Sequence, residues 1–237
     1  QRGSTTIVKE TKSNMKVMIL AAGYGKRMLP ITKETPKPLL KVSNKTLIQR
    51  NIEILINSGF NEIVINTAYL GSMIIEHVTK CFPSADIKFS KEENPLGTGG
   101  GVMKALHLLG TDPFLLINSD IFHNIAINDL KQFTEKAHIV GVPNPDHNLE
   151  GDFSLNGNTV VIKEGQNDFT WSGISVINPC IFDDIKSKEG AFDMWNSVLK
   201  KYIENSDVTG EVTQSNWIDT GTIERLELAN NIYKDEN

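Results

Sequence analysis

Short continuous runs of apolar residues alternate, along the first two-thirds of the chain, with segments whose apolar residues recur at helical spacing. Such short apolar runs are typical of strands buried on both faces of a sheet. They predict strands over Lys16–Leu20, Glu62–Asn66, Asp86–Ser90, Phe114–Asn118 and His138–Val142. The segments between them predict helices over Thr46–Asn57, Ser72–Lys80, Gly99–Leu109 and Asp129–Lys136. This alternation favours an α/β fold with a doubly wound, mostly parallel sheet and helices on both faces.

The pattern changes in the last third of the chain, which predicts a small mixed region. Two short strands, Asp152–Leu155 and Thr159–Ile162, flank Asn156-Gly157, a dipeptide that strongly favours a hairpin turn. The remaining predicted elements are a strand at Gly173–Ile177, a helix at Phe192–Ile203, a brief strand at Trp217–Ile218 and a last helix at Ile223–Tyr233.

No linker, internal repeat or low-complexity segment separates these regions. Residues 15–237 are therefore predicted to form a single domain with a nucleotide half and a second-substrate half. Residues 1–14 are polar and lack periodicity, and we expect them to be a disordered extension or a remnant of cloning.

Composition narrows the class of protein. The chain has 39% hydrophobic and 22% charged residues, which is ordinary for a globular protein, and a formal net charge of −5. A mildly acidic protein has no general field for collecting nucleic acid, so any anion site must be local. No apolar run approaches the ~20 residues needed to span a bilayer, and two widely separated cysteines suit a reducing compartment. We expect a cytoplasmic protein that binds neither nucleic acid nor membrane.

The first predicted strand ends in the glycine-containing loop A-A-G-Y-G-K-R. Ligands of open parallel sheets bind beyond the carboxyl ends of the strands. Gly23 and Gly25 would let backbone N–H groups approach a phosphate without an intervening Cβ. Arg27 could then bind phosphate oxygens through its planar fork, and Lys37 could supply a point charge.

The loop does not match the common phosphate-binding motifs. No G-x-x-x-x-G-K-[ST] string occurs, and Met28 takes the third glycine position of a G-x-G-x-x-G motif. A lone G-x-G is most often a tight turn with solvated charges. Pro36 and Pro38 argue against that interpretation, because they stiffen the backbone around Lys37.

The longer string A-A-G-Y-G-K-R-M-L-P-I-T-K-E-T-P-K-P-L, residues 21–39, resembles the signature of the sugar-1-phosphate nucleotidyltransferases. The resemblance implies a Rossmann-like nucleotidyltransferase fold in which Arg27 and Lys37 are catalytic. Arg27 would steady the β- and γ-phosphates and the departing pyrophosphate, and Lys37 would offset charge between the two substrates. The nucleotide-binding loop would comprise Leu20, Ala21, Ala22, Gly23 and Gly25.

Two aspartates follow predicted strands at positions that match the family's metal ligands. Asp120 ends F-L-L-I-N-S-D and Asp219 ends N-W-I-D. An aspartate after a strand is by itself usually a helix cap or a turn residue. The resemblance implies that this pair holds Mg²⁺, which takes one or two carboxylates and completes its shell with phosphate and water. Ser119 departs from the glycine that is common in the family before the first aspartate.

A second glycine run, E-E-N-P-L-G-T-G-G-G-V at residues 92–102, precedes a predicted helix. Four glycines within five positions indicate a close approach to the backbone, although a flexible loop is the alternative. The resemblance implies that Gly97 and Thr98 contact the nucleotide base, with Glu92 and Pro95 as neighbours that tune selectivity.

The strings G-D-F, T-W-S-G-I-S-V and W-I-D-T-G-T-I-E-R-L are similar to those of one branch, the N-acetylmuramate-1-phosphate uridylyltransferases of cell-wall recycling. This likeness implies that Asp152, Ser172 and Gly173 contact the sugar phosphate. Trp171 is equally compatible with a core aromatic and with a platform for a sugar ring.

The expected reaction is the Mg²⁺-dependent transfer of a nucleoside monophosphate, from UTP in preference, to a sugar 1-phosphate, with N-acetylmuramate 1-phosphate favoured. A phosphate oxyanion is already a nucleophile, so no general base is required. One alternative is a guanylyltransferase that makes GDP-mannose or GDP-heptose, since P-L-G-T-G-G is also similar to those enzymes. Another is a non-catalytic module that senses sugar nucleotides. The expected partners are the nucleoside triphosphate and the sugar 1-phosphate, with the protein a monomer or a small homo-oligomer.

Overall fold

The computed structural model describes residues 15–133, 135–186 and 188–233. In chain order its strands are β1 (Val17–Leu20), β2 (Lys41–Val42), β3 (Lys45–Thr46), β4 (Glu62–Thr67), β5 (Asp86–Lys91), β6 (Phe114–Asn118), β7 (Ile121–His123), β8 (Ala137–Pro143), β9 (Ser154–Asn156), β10 (Thr159–Val161), β11 (Phe169–Ile177), β12 (Val208–Val212) and β13 (Trp217–Asp219). The α-helices are α1 (Leu47–Asn57), α2 (Gly71–Cys81), α3 (Gly97–Leu109), α4 (Lys200–Glu204) and α5 (Ile223–Ile232).

Within the described residues, a nine-stranded sheet has the order β5-β4-β1-β6-β11-β8-β12-β10-β9. The first four of these strands are parallel, and β8 and β12 are parallel to each other. β11 is antiparallel to both of its neighbours, β6 and β8. The order reverses next to β1, and such a reversal leaves a crevice for ligands beyond the carboxyl ends of the strands.

Alternating side chains of the sheet are buried on its two faces. Val17 and Ile19 of β1 pack with α1 and α2 in one core cluster, whereas Met18 packs with α3 and the helical segment before β12 in another. β1 and β6 are almost continuous apolar runs because both of their faces are covered. Thr46 caps α1 by accepting a hydrogen bond from Gln49 N at 3.2 Å, which fixes where that helix begins.

One prediction of secondary structure is wrong, and a second helix is confirmed with a later start and a different first turn. The predicted helix Asp129–Lys136 is only a 3₁₀ turn over Asn128–Gln132, because Phe133 turns to extended backbone and its ring stacks on His138 at 3.5 Å between centroids. The predicted helix Phe192–Ile203 begins as a π-helical segment over Trp195–Leu199 before α4. β7 and β12 were not predicted. The predicted extension over residues 1–14 lies outside the described residues.

Two short ribbons accompany the main sheet. β2 pairs with β3, and β7 pairs with β13 in antiparallel register, with Asp219 opposite Ile121. The second ribbon joins parts of the chain that are far apart in sequence, and it ends beside the carboxyl edge of β6. No helix in the described ranges is long and apolar enough to cross a membrane.

Candidate active site

A cavity of about 420 Å³ opens at the carboxyl ends of β1 and β6. Eleven of the residues predicted from the sequence to form the site line it: Leu20, Ala21, Ala22, Gly23, Gly25, Arg27, Lys37, Pro95, Gly97, Thr98 and Asp120. The cavity wall also includes residues that were not predicted: Tyr24, Lys26, Pro38, Asn66, Asn118, Ser119 and Gly221. The glycine loop, the basic residues and the first aspartate are therefore brought together.

Contacts between nearby residues fix the conformation of the glycine loop, and the loop leaves space for a ligand. Gly25 has φ +64°, and a Cβ there would lie 2.9 Å from Thr32 Cγ2, so this position is closed to other residues. Thr32 Oγ1 donates to Gly25 O at 2.9 Å. Gly23 differs, because a Cβ built on it meets nothing within 4 Å. Its absent side chain thus leaves room within the cavity.

A buried hydrogen-bond chain supports the start of this loop. Ala21 N donates to Asn66 Oδ1 at 2.8 Å, and Asn66 Nδ2 donates to Glu92 Oε1 at 2.7 Å. The other carboxylate oxygen of Glu92 accepts from Leu96 N at 2.8 Å. Glu92 is only 6% exposed and does not line the cavity. It joins the glycine loop to the second glycine run through Asn66.

The second glycine run packs mainly against protein. Gly97 has φ +73°, and a Cβ there would lie 2.4 Å from Phe192 O. A Cβ on Gly99 would lie 2.6 Å from the Phe192 ring. Thr98 lines the cavity while its Oγ1 accepts from Met194 N at 2.7 Å. The close approach that the sequence indicated is thus made by the segment around Phe192, and Gly97 and Thr98 also face the cavity.

Asp120 and Lys37 form an ion pair at the cavity wall, between Oδ2 and Nζ. Lys37 is 8% exposed, so its ammonium group is nearly withdrawn from water. Thr220 anchors the backbone of the aspartate, because its N and Oγ1 donate to Asp120 O at 3.0 and 2.6 Å. Asp120 is therefore fixed both by a cation and by the strand that carries Asp219.

The β7–β13 ribbon carries Asp219 to the same edge. A Cβ built on Gly221, which lines the cavity, would lie 2.8 Å from Asp219 Oδ1 and 2.8 Å from Arg27 Nη2. Arg225 Nη2 lies 3.1 Å from Asp219 Oδ2, and His147 Nε2 lies 3.6 Å from that same oxygen. Oδ2 of Asp219 is thus held by the protein, and Oδ1 lies next to Gly221, although Asp219 itself does not line the cavity.

His147 is a neutral neighbour of this group. Burial lowers its pKa, the positive charges of Arg225 and Arg27 also lower it, and the negative charge of Asp219 opposes them. The imidazole is therefore uncharged at neutral pH and adds no cation beside Asp219.

The donor set of the site suits a hard divalent cation. Asp120, which lines the cavity, and Asp219, which adjoins the lining residue Gly221, offer carboxylate oxygens, and these are ligands that Mg²⁺ prefers. Among the described residues, no three or more His, Cys, Asp or Glu side chains are grouped to hold a metal. A site of this kind would depend on ligand phosphates to complete the shell.

The three residues predicted to bind the sugar phosphate do not line this cavity. Asp152 Oδ2 accepts from Trp171 N at 2.8 Å. Ser172 is fully buried, and its Oγ donates to Val140 O at 2.7 Å. Gly173 has φ +81° and packs on Asn118, which does line the cavity. Of these three residues, Gly173 is the one in contact with the cavity wall.

Trp171 has the environment of a core aromatic. Its Nε1 donates to Ser175 Oγ at 2.9 Å and to Ile174 O at 3.2 Å. The ring stacks on Trp195 with 5.5 Å between centroids. The indole N–H and the ring face of Trp171 therefore both have partners within the protein.

Comparison with known proteins identifies the family of this chain. The profile of the family described as "Nucleotidyl transferase" matches residues 16–151, more than half of the chain. The chain belongs to the nucleotidyl transferase family. The family prediction is confirmed, and the nucleotidyl transferase profile covers the glycine loop, Lys37, the second glycine run and Asp120.

Individual nucleotidyl transferases extend the match. An N-acetylmuramate alpha-1-phosphate uridylyltransferase of Neisseria meningitidis is 39% identical over 226 residues, covering 91% of this chain and 96% of that protein. A mannose-1-phosphate guanyltransferase of Saccharomyces cerevisiae is 38% identical over 128 residues, 52% of this chain and 35% of its own. The solved structure of a candidate glucose-1-phosphate thymidylyltransferase from Bacillus anthracis superposes with a TM-score of 0.82 at 22% identity, covering 94% of this chain and 96% of that chain. The predicted fold class is confirmed.

Proposed function

We propose that the protein transfers UMP from UTP to N-acetylmuramate 1-phosphate and releases pyrophosphate. A phosphate oxygen of the sugar 1-phosphate attacks the α-phosphorus and forms a new P–O bond. The bond from the α-phosphorus to the bridging oxygen breaks, and its electron pair leaves with pyrophosphate. The observation that carries this proposal is a basic, glycine-lined cavity that has Asp120 in its wall and Asp219 next to Gly221 of the same wall.

The basic side chains have separate proposed roles. Arg27 makes no ion pair with the described residues and is exposed at the cavity mouth, so it is free to bind the β- and γ-phosphates. Lys37 is buried and already paired with Asp120, which suits a charge held between two anionic substrates. Catalysis then consists mostly of alignment and charge neutralisation, because repulsion between polyanions must be overcome.

Asp120 and Asp219 would hold Mg²⁺, which supplies charge neutralisation at the α-phosphate when bound. The loop of Leu20, Ala21, Ala22, Gly23 and Gly25 would bind the triphosphate through its backbone. Pro95, Gly97 and Thr98 would contact the base, with Glu92 supporting them from behind through Leu96 N. Asp152, Ser172 and Gly173 would shape the sugar side of the site.

The choice of uridine and of the muramyl sugar rests on the Neisseria meningitidis relative, which the chain matches nearly end to end. The matching of the first half to a mannose-1-phosphate guanyltransferase supports the guanylyltransferase alternative. A regulatory module that only senses sugar nucleotides is disfavoured, because Arg27, Lys37 and both aspartates are present, and Arg27, Lys37 and Asp120 line one cavity. We further propose that the protein acts in the cytoplasm, in cell-wall recycling. Residues 15–237 would form one domain.

The test is release of pyrophosphate on mixing the protein and Mg²⁺ with each of UTP, GTP, CTP, ATP and dTTP, against a panel of sugar 1-phosphates. We expect release with UTP and N-acetylmuramate 1-phosphate, and its loss when EDTA removes the metal. Release with GTP and mannose or heptose 1-phosphates instead would establish the guanylyltransferase alternative. If no pair releases pyrophosphate, the protein is a binding module and the proposal fails.

A further inference from the structure

Arg225, in the first turn of α5, directs its guanidinium at a single acidic residue. Its Nε donates to the main-chain oxygen of Asp219 at 2.6 Å, and its Nη2 lies 3.1 Å from Asp219 Oδ2. The arginine side chain is 16% exposed and that of Asp219 is 23% exposed, so the pair is largely withdrawn from water. Contacts to both the backbone and the side chain of one residue fix the direction in which its carboxylate points.

The two oxygens of Asp219 have different surroundings. Oδ2 accepts from Arg225 and faces His147 Nε2 at 3.6 Å. Oδ1 is near Gly221, which lines the cavity: a Cβ built there would lie 2.8 Å from Oδ1, 2.8 Å from Arg27 Nη2 and 2.5 Å from Arg225 Nη2. Arg225 therefore occupies Oδ2 and leaves Oδ1 as the oxygen available for a ligand.

Both ends of this contact belong to regular structure. Thr222 Oγ1 caps α5 by accepting from Arg225 N at 3.3 Å. Asp219 is the last residue of β13 and pairs with Ile121 of β7. An aspartate at a strand end has several staggered side-chain conformations open to it, and a rigidly held guanidinium selects one of them.

We propose that Arg225 is a positioning residue, which aims Asp219 Oδ1 at the divalent cation; the inference rests on the metal role of Asp219 in the proposed function. By charge alone a nearby arginine would weaken cation binding. The benefit must therefore come from orientation, which two contact points provide and one does not. Residues that orient a metal ligand typically change metal affinity by about 10- to 100-fold when replaced.

The experiment compares Arg225→Lys with Arg225→Gln in direct binding of Mn²⁺ to the protein with UTP bound, followed by electron paramagnetic resonance of the free ion. Arg225→Lys keeps the positive charge but loses the two-point contact, whereas Arg225→Gln loses both. We expect each variant to need about ten times more Mn²⁺ for half-saturation. We also expect turnover of Arg225→Lys to recover towards the unmodified protein at saturating Mg²⁺. Unchanged Mn²⁺ affinity in a folded Arg225→Lys protein would overturn the inference.

Arg50→Lys is the matched control. Arg50 also uses Nε and Nη2, both donating to Val42 O at 3.2 and 2.9 Å, and it does not line the cavity. We expect this variant to bind Mn²⁺ normally. Asp219→Asn separates the two proposals: if it binds Mn²⁺ like the unmodified protein, the metal role of Asp219 fails. If Asp219→Asn loses Mn²⁺ while Arg225→Lys retains it, only the role of Arg225 fails.

Discussion

Lys37 combines deep burial with a charged head group. It is 8% exposed, and Pro36 and Pro38 flank it in a short 3₁₀ turn. Its Nζ contacts the carboxylate of Asp120 directly. A buried cation of this kind is retained where it has an anionic partner, and here the partner is itself a proposed metal ligand.

Replacement of Lys37 by alanine should lower turnover by about 10²- to 10³-fold, because one fixed positive charge is lost from a site that brings two polyanions together. The measurement is steady-state pyrophosphate release, with circular dichroism to verify folding. Lys33→Ala is the control, since Lys33 is exposed in the same loop and does not line the cavity. Turnover within tenfold of the unmodified protein in a folded Lys37→Ala variant would contradict the assigned role.

How much of the site could be predicted from the sequence depends on the kind of contact. Arg27, Lys37, Gly23 and Asp120 were found because they belong to strings with fixed local spacing, and all four line the cavity. Arg225 and His147 were not predicted, because only the folded chain brings them to Asp219. Asn66 carried a usable signal, since it is a polar residue near the end of a buried strand, as Asp120 is.

The elements of the fold were predictable where burial dictates the pattern. β1, β4 and β6 are buried on both faces, so their sequences are continuous apolar runs. β12, with the sequence V-T-G-E-V, was missed because its glycine and glutamate hide the apolar pattern. The glycine run of α3 was correctly taken to indicate close approach. Its neighbour is Phe192, because local sequence cannot tell a protein contact from a ligand contact.

The β7–β13 ribbon contains a buried histidine. His123 pairs with Trp217, accepts a hydrogen bond from Ile125 N through Nδ1, and is 5% exposed. Burial lowers its pKa from 6.5 to about 4. The neutral ring is therefore the form that the folded ribbon accommodates, whereas the unfolded chain takes up a proton more readily.

His123 should make the free energy of unfolding fall as the medium becomes acidic. Its contribution is complete above pH 6.5 and is lost progressively as the pH falls towards 4, by about 2 kcal/mol at pH 5. The measurement is urea unfolding at pH 7 and pH 5. His123→Asn keeps an acceptor for Ile125 N but cannot titrate, so its stability should fall less over this interval. The exposed His107 supplies the control, and His107→Asn should retain the original pH slope; equal slopes for all three proteins would contradict the prediction.

One continuous sheet joins the cavity to the last third of the chain. β6, which ends at the cavity, pairs with β11, and β11 pairs with β8. Each core cluster also combines both regions: Val17 with Val176 on one face, and Met18 with Val208 on the other. Within the described residues, the front two-thirds and the last third of the chain therefore share one sheet and both core clusters, so we expect them to unfold together.

The chain should accordingly unfold in a single transition that nucleotide shifts as a whole. All three tryptophans, Trp171, Trp195 and Trp217, follow residue 150, whereas the glycine loop lies near residue 23. UTP with Mg²⁺ at 100 times its Kd adds ~2.7 kcal/mol of stability, equivalent to roughly 5 to 10 °C in Tm. Tryptophan fluorescence and circular dichroism should report the same shift in Tm. UTP should raise the Tm more than GTP, CTP, ATP or dTTP does. If the nucleotide raises the Tm measured by circular dichroism but not the Tm measured by tryptophan fluorescence, the chain contains two units that unfold independently.

The hydrogen bond from Thr220 to Asp120 spans 100 positions of the chain. A ribosome adds about 5 to 20 residues per second, so roughly 5 to 20 s separate the synthesis of the two aspartates. During that interval the nascent chain already contains the glycine loop and Lys37, but Asp219 has not yet been synthesised. If both aspartates hold the metal as proposed, an unfinished chain cannot consume a nucleoside triphosphate, because β13 must pair with β7 before the second carboxylate is in place.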